Sequence, residues 1–347
     1  MWPANRRLCR TDTVRAYSFT FEYISRVHAI LPTMTEKQAL ALHSKAQDLQ
    51  EAGRHRQALA ALDRVADHFR SAKELGDLAN IDNDRADSLL ALCRYREAER
   101  AAHEAVKLLS PIAGKLDRAT AAAMLPRAWG TWGTALRELG QYDKARPKID
   151  QAVKLAEAHA GRSHEITATQ LNNLGVLCKY AGWFAEGRRA YLRALRILEK
   201  LFGVDSLATA TIWHNLGGLE HARRRYSKGE PMGRKAYEIR RQFLGEDHPA
   251  TYADAVAWCG LLDGLGRYGE SEPIYRRALD FYRRTLGPSH FEVAATLNNL
   301  AMVRAAVGDN TEAIRLMKRC VAIKVKLFGA NHPEVKLSRS NLDSLVG

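Results

Sequence analysis

Five glycines, Gly161, Gly203, Gly245, Gly287 and Gly329, follow one another at intervals of 42 residues. Each begins a short polar stretch: Gly161-Arg-Ser-His164, Gly203-Val-Asp-Ser206, Gly245-Glu-Asp-His248, Gly287-Pro-Ser-His290 and Gly329-Ala-Asn-His332. A fixed period of this length means that one supersecondary unit is being repeated, and this constrains the fold more tightly than any single motif does. A second series lies between the glycines. It runs Gly53-Arg-His-Arg-Gln-Ala58, Cys93-Arg-Tyr-Arg-Glu-Ala98, Gly140-Gln-Tyr-Asp-Lys-Ala145, Gly182-Trp-Phe-Ala-Glu-Gly187, Arg224-Arg-Tyr-Ser-Lys-Gly229, Gly266-Arg-Tyr-Gly-Glu-Ser271 and Gly308-Asp-Asn-Thr-Glu-Ala313. The spacings in this series are 40, 47, 42, 42, 42 and 42 residues, so there are seven copies.

Apolar residues recur at helical spacing on both sides of each turn, as in Leu171, Leu174, Leu177 and Cys178 before one and Tyr191, Leu195, Ile197 and Leu198 after it. Each copy therefore reads as helix A, a tight turn and helix B. Ala58, Ala98, Ala145, Gly187, Gly229, Ser271 and Ala313, early in the B helices, let the two helices approach closely. A lone hairpin of this kind cannot bury its apolar face, so neighbouring copies must stack. The connector glycines suit the left-handed residue that ends a helix. Ser163, Asp205, Asp247, Ser289 and Asn331 are placed to cap the next helix. Glu292 and Glu334 would complete capping boxes, and Pro249 and Pro333 fall in first turns. In this setting the connector histidines are punctuation rather than metal ligands or catalysts.

Composition agrees with a folded array: 46% of residues are hydrophobic, 27% are charged, and only 10 are proline. Cys9, Cys93, Cys178, Cys259 and Cys320 are widely spaced and odd in number. They suggest neither a zinc site nor a disulfide framework, and a reducing, cytoplasmic setting is expected. No apolar run is long enough to span a membrane. Residues 1 to 33 contain Arg6, Arg7, Arg10, Arg15 and Arg26 but lack the apolar core and cleavage site of a secretory signal. They read as an extension outside the array, either a transit peptide or an over-extended start before Met34. The expected organisation is this extension, three divergent copies over 34–160, four regular ones over 161–331, and a polar capping helix over 332–347.

The pattern resembles the tetratricopeptide repeat in its longer, kinesin-light-chain-like form. The resemblance rests on Leu171-Asn-Asn-Leu-Gly175, Trp213-His-Asn-Leu-Gly217, Leu297-Asn-Asn-Leu-Ala301, Tyr275-Arg-Arg-Ala-Leu279 and Leu244-Gly-Glu-Asp-His-Pro249. It covers 161 to 347 strongly and 36 to 160 loosely, with Ser44 and Asp84 standing where later copies have Asn. The resemblance implies an all-α, right-handed superhelical solenoid of about seven helix-turn-helix repeats, with the A helices lining a concave groove that holds peptide segments. Carried over by register, the groove positions are Arg127, Thr134 and Arg137; Thr169, Asn172, Val176 and Lys179; Thr211, His214 and His221; and Ala295, Asn298 and Met302. The series Asn173, Asn215, Asn299 and Asn341, broken by Ala257, falls where the family hydrogen-bonds ligand backbone. An amide can donate to a carbonyl and accept from an N–H, so a ladder of amides could hold an extended peptide. Equally, each Asn could bond its neighbouring repeat.

No catalytic, cofactor or metal motif survives inspection. Gly264-Leu-Gly266-Arg-Tyr-Gly269 matches a dinucleotide fingerprint but joins two helices and follows no strand. The expected function is a non-enzymatic protein-interaction scaffold. A signalling-peptide receptor that changes superhelical pitch is the second reading. The net charge of +14 suggests a third, nucleic acid or an anionic surface bound by basic B-helix residues such as Arg188, Arg234, Arg240 and Arg276. Those residues read as a solvated outer face, and Trp129, Trp132, Trp213 and Trp258 read as packing residues rather than base-stacking platforms.

Overall fold

The computed structural model describes residues 34–346, so the sequence reading of residues 1 to 33 lies outside the described part. The described chain is all-α, with no strand among the described residues. It divides between Arg162 and Ser163 into two compact units. The first contains α1 (Glu36–Glu51), α2 (His55–Ala72), α3 (Leu75–Ala91), α4 (Tyr95–Leu109), a single 3-10 turn (Ala113–Lys115), α5 (Arg118–Glu138) and α6 (Tyr142–His159). The second contains α7 (Glu165–Ala181), α8 (Phe184–Phe202), α9 (Leu207–Ala222), α10 (Tyr226–Leu244), α11 (Pro249–Gly264), α12 (Tyr268–Leu286), α13 (Phe291–Ala306), α14 (Asn310–Phe328) and α15 (Pro333–Val346). Odd-numbered helices are A helices and even-numbered ones are B helices. Within each unit, packing joins sequential helices and successive A helices, which places the A helices on the tighter side of the stack.

All seven predicted A–B turn residues have positive φ: Gly53, Cys93, Gly140, Gly182, Arg224, Gly266 and Gly308. Gly182, at φ 81° and ψ 7°, is a left-handed helix end. The predicted small residues of the B helices are buried in every copy. A Cβ built on Gly229 would lie 2.6 Å from Leu261 Cδ2 and 3.2 Å from the Gly217 carbonyl, so α10 is wedged between its own A helix and the next. Large side chains fill the remaining space, with Tyr252, Phe281, Tyr282, Leu297 and Met317 in the second unit and Leu62, Phe69 and Ile81 in the first.

The connectors depart from expectation in two respects. Gly203, Gly245, Gly287 and Gly329 have φ of 86°, 82°, 89° and 81° but ψ of 166°, 169°, 156° and 157°. This is the extended, glycine-only region rather than the left-handed helical one, because the chain must leave the B helix straight into an extended residue. The caps also fall one residue later than predicted. His164, His248 and His290 are the N-caps, their Nδ1 atoms accepting from the backbone N–H of Ile166, Ala250 and Glu292 at 3.2, 3.1 and 3.2 Å. His332 Nδ1 accepts from Glu334 in the same way at 3.2 Å. The expected caps Asp205 and Asp247 are engaged elsewhere, Asp205 with Lys235 Nζ and Asp247 with Tyr252 Oη. Glu292 and Glu334 thus sit one residue short of capping-box geometry. The boxes that do form are Thr35 with Gln38 and Ser206 with Thr209. Ser206 takes the histidine's place and its capping role.

Candidate functional site

A single register rule organises the exposed side of the A helices. Counting back from each turn residue, the side chain ten positions before it reaches the one nine positions before the next turn. Asn215 Nδ2 donates to Asn172 Oδ1 at 2.8 Å, and Asn341 Nδ2 donates to Asn298 Oδ1 at 3.2 Å. In the first unit the same positions hold His43 and Asp84, 2.6 Å apart. Of the predicted ladder, Asn215 and Asn341 therefore tie successive A helices together, their partners Asn172 and Asn298 being predicted groove positions. Asn173 and Asn299 make contacts only within their own helices. Asn173 donates to Gln170 at 3.3 Å, and Asn298 makes a long 3.5 Å contact to Asn299.

Where copy six has Ala257, the rule is replaced by a charged cluster. His214 Nδ1 lies 2.8 Å from Asp254 Oδ1, and Arg240 Nε donates to Asp254 Oδ2 at 2.5 Å. Arg240 Nη2 also donates to Thr211 Oγ1 at 3.0 Å. Asp254 is 3% exposed, and the Arg240 guanidinium together with the contact to His214 compensates for its lost hydration. Arg240, expected on a solvated outer face, is drawn inward by this carboxylate. Asp254 itself was not singled out in the sequence, although an acid at a position held by Ile212 and Thr296 in neighbouring copies was visible.

Beyond these ties the A-helix face of the second unit is low and open. Gly218 and Gly260 lack side chains, and a Cβ at either would meet only Lys179 Nζ at 3.8 Å or His221 Nε2 at 3.6 Å. Lys179 and His221 each lie across the glycine of the next A helix. Burial holds His221 below the ordinary imidazole pKa, Lys179 acts in the same direction, and a hydrogen bond with the Gly260 backbone opposes them. Val176 is half-buried, Met302 is exposed, and Thr169 donates to the Glu165 carbonyl at 3.1 Å.

The first unit presents a different surface. Arg127 Nη2 donates to Asp84 Oδ1 and Asp87 Oδ2, both at 2.5 Å, and Thr131 Oγ1 donates to Asp87 at 3.2 Å. Gln47 donates to Asp84, and Gln50 donates to Ser88 and to the Asp84 carbonyl. Burial pushes the Asp84 carboxyl up, but the His43 hydrogen bond and the Arg127 charge outweigh it and hold the group below its ordinary 3.8. Asn83 is fully buried with neither amide atom hydrogen-bonded. Arg137 pairs with Glu138 at 2.7 Å. Of the predicted groove positions, Arg127 is thus held in a charge network with Asp84 and Asp87, and Arg137 is in an ion pair with its neighbour Glu138.

The tryptophans pack as expected. Trp132 stacks on His103 at 4.4 Å and donates to Glu99, while Trp258 stacks on Tyr237 at 5.5 Å and donates to Glu230. Among the described residues no His, Cys, Asp and Glu cluster could hold a metal ion, and no helix is long and apolar enough to cross a membrane.

Stacked helical hairpins with capped connectors and small residues at the A–B contact define a helical repeat protein. The family model of the tetratricopeptide repeat matches 124–200, 171–242, 208–284, 260–326 and 292–342, and the chain belongs to that family. No curated protein matches the sequence. Among solved structures, the apo form of RapI shares 12% identity at a TM-score of 0.61, over 83% of this chain and 98% of that one. A putative kinesin light chain from Podosopora anserina with nearly identical TPR-like repeats shares 18% at 0.50, over 58% of this chain and 95% of that one. Rap protein complexed with competence and sporulation factor shares 14% at 0.53, over 90% of this chain and 88% of that one. At these identities the likeness is one of fold.

Proposed function

We propose that the protein is a non-enzymatic interaction scaffold that binds a peptide segment of a partner protein along the A-helix face of the second unit. The observation that carries this reading is the open floor at Gly218 and Gly260, edged by Lys179 and His221, in a face whose helices are already pinned to one another. Pinning preorganises the surface and lowers the ordering cost of binding. The amides keep free hydrogen-bonding atoms, Asn215 Oδ1 and Asn172 Nδ2 among them, for a peptide backbone. Because Asn172 and Asn215 also join two helices, replacing them perturbs packing as well as binding, and a steric block makes the cleaner test.

Gly218→Leu with Gly260→Leu fills the floor where there is room for a side chain. The expected result is loss of the partners captured by the unaltered full chain, with the circular dichroism spectrum unchanged. Retention of the same partners by the blocked chain would remove the basis of the reading.

The fold shared with a Rap protein complexed with a competence and sporulation factor favours a second reading, a receptor for a small signalling peptide. That reading requires a ligand-dependent change in scattering radius. Direct binding of nucleic acid by the B helices receives less support. Arg276 is committed to Glu272 and Glu312, Lys235 to Asp205, and Arg240 to Asp254. A cytoplasmic, reducing setting fits Cys178, Cys259 and Cys320, which are buried free thiols.

A further inference from the structure

Successive B helices of the second unit touch through their side chains at a fixed register. Arg276 Nη2 on α12 donates to Glu312 Oε2 on α14 at 3.2 Å, across 36 positions of sequence. About two turns further along both helices, the same offset brings Arg283 to Arg319. Arg315 stands one turn before Arg319 on the same face of α14. An opposite-charge contact between the two helices is thus followed by a like-charge one.

The preceding copies show what neutralises this position elsewhere. The counterpart of Arg319 in copy five is Lys235, paired with Asp205 of its connector at 2.5 Å. In copy six it is Arg277, 3.9 Å from Glu246 of its connector. The connector of copy seven reads Gly287-Pro-Ser-His290, so Pro288 and Ser289 stand where Glu246 and Asp247 stand one copy earlier. Arg319 accordingly has no acidic partner among the described residues. Arg283 is little better served. The carboxylate it faces, Asp280, is 3.9 Å away and 73% exposed, and Arg283 Nε is buried without a hydrogen-bond partner. Burial and the Arg319 charge hold the Arg283 guanidinium below its ordinary range, Arg315 acts in the same direction, and Asp280 only partly offsets them. A buried unpaired donor among like charges is costly until an anion completes it.

We propose that Arg283, Arg315 and Arg319 form an oxyanion site between α12 and α14 that takes the phosphate monoester of a phosphorylated protein segment, apart from the A-helix face. Such a group carries about two negative charges at pH 7 and presents several acceptor oxygens, which suits guanidinium donors arriving from two helices. Acids border the site: Asp280 beside Arg283, and Glu312 at 3.4 Å from Arg315. They interrupt the basic surface, which disfavours a phosphodiester backbone or an anionic bilayer, since both draw on continuous positive charge.

The test measures binding of the full chain to two peptide libraries, one with phosphoserine fixed between random flanks and one with serine in its place. Phosphoserine peptides should be retained, and their serine counterparts should bind at least about tenfold more weakly. Two variants are compared with the unaltered protein. Arg283→Gln with Arg319→Gln removes the donors and should weaken phosphoserine binding at least about tenfold. Ser289→Asp restores the connector acid of the earlier copies, gives Arg319 an internal partner, and should weaken it by about threefold or more. Both relieve like-charge repulsion, so neither should lower the denaturant midpoint, and a lost site is told apart from a lost fold. The Gly218→Leu and Gly260→Leu block should leave phosphoserine binding unchanged, which separates this site from the A-helix face. Three results overturn the proposal: no preference for phosphoserine over serine, phosphoserine binding that both variants leave intact, or RNA oligonucleotides or phosphatidylserine vesicles that bind through these arginines while phosphoserine peptides do not.

Discussion

The two units reach the same hairpin stack by different chemistry. In the second, neutral amides pair two of the four successive A-helix steps, glycines make every connector, and imidazoles or a serine cap the next helix. In the first, the spacing is irregular, and Lys73, a residue with a side chain, holds positive φ at 61° between a B helix and the next A helix, where the second unit uses glycine. The amide pair is replaced there by a buried carboxylate held between His43 and Arg127. Packing of small residues at the A–B contact is common to both units and specifies the fold. The polar tie between A helices sets register and tolerates exchange of an amide pair for an ion pair.

The sharpest way to break this comparison is to remove the charge. Asp84→Ala leaves His43 without its carboxylate and Arg127 with Asp87 alone, and should cost the first unit about 3 kcal/mol. Region-resolved hydrogen exchange would show the loss in α1, α3 and α5 alone. The same pair gives the first unit an acid sensitivity. Because the folded carboxyl is held below 3.8, its stabilising contribution is present above that value and is lost as pH falls through the lower, folded value. Asp84→Ala should abolish this part of the acid response, and an unchanged profile would count against the pair.

Next in size is Gly245→Ala, which places a Cβ on φ 82° and ψ 169° and should destabilise the second unit by about 2 kcal/mol in denaturant melts. Asn215→Ala breaks the 2.8 Å tie to Asn172 and should cost about 1 kcal/mol, since water reaches the half-buried remainder. If Asn215→Ala costs as much as Asp84→Ala, the contrast between amide and ion-pair ties fails. The smallest effect has the opposite sign. Cys93→Gly relieves a left-handed non-glycine residue and should raise the stability of the first unit by somewhat under about 1 kcal/mol.

Period and turn chemistry made most of the architecture legible in the sequence. Gly53 through Gly308 fixed every A–B turn, and Ala58 through Ala313 marked the close contacts. The caps were misplaced by one residue because His is a weak cap by general preference, whereas Asp205 and Asp247 are strong ones. At two of the five connectors the acids are engaged instead with Lys235 and Tyr252. The Asn series was visible, but its pairing was not, because it joins residues 43 positions apart on adjacent A helices. The pairing of Asp254 with Arg240 escaped notice for a related reason. One looked like a break in an apolar register and the other like one more surface arginine, and they acquire meaning only together.

The register ties also divide the second unit mechanically. The steps from α7 to α9, from α9 to α11 and from α13 to α15 each carry a polar cross-brace: Asn172 with Asn215, His214 with Asp254, and Asn298 with Asn341. The step from α11 to α13 has Val256 at the bracing position and no hydrogen bond between the two helices among the described residues. Springs in series deform where they are softest, so twisting or stretching of this stack is concentrated between α11 and α13. Spin labels placed across that step should report a broader distance distribution than labels across either braced neighbour.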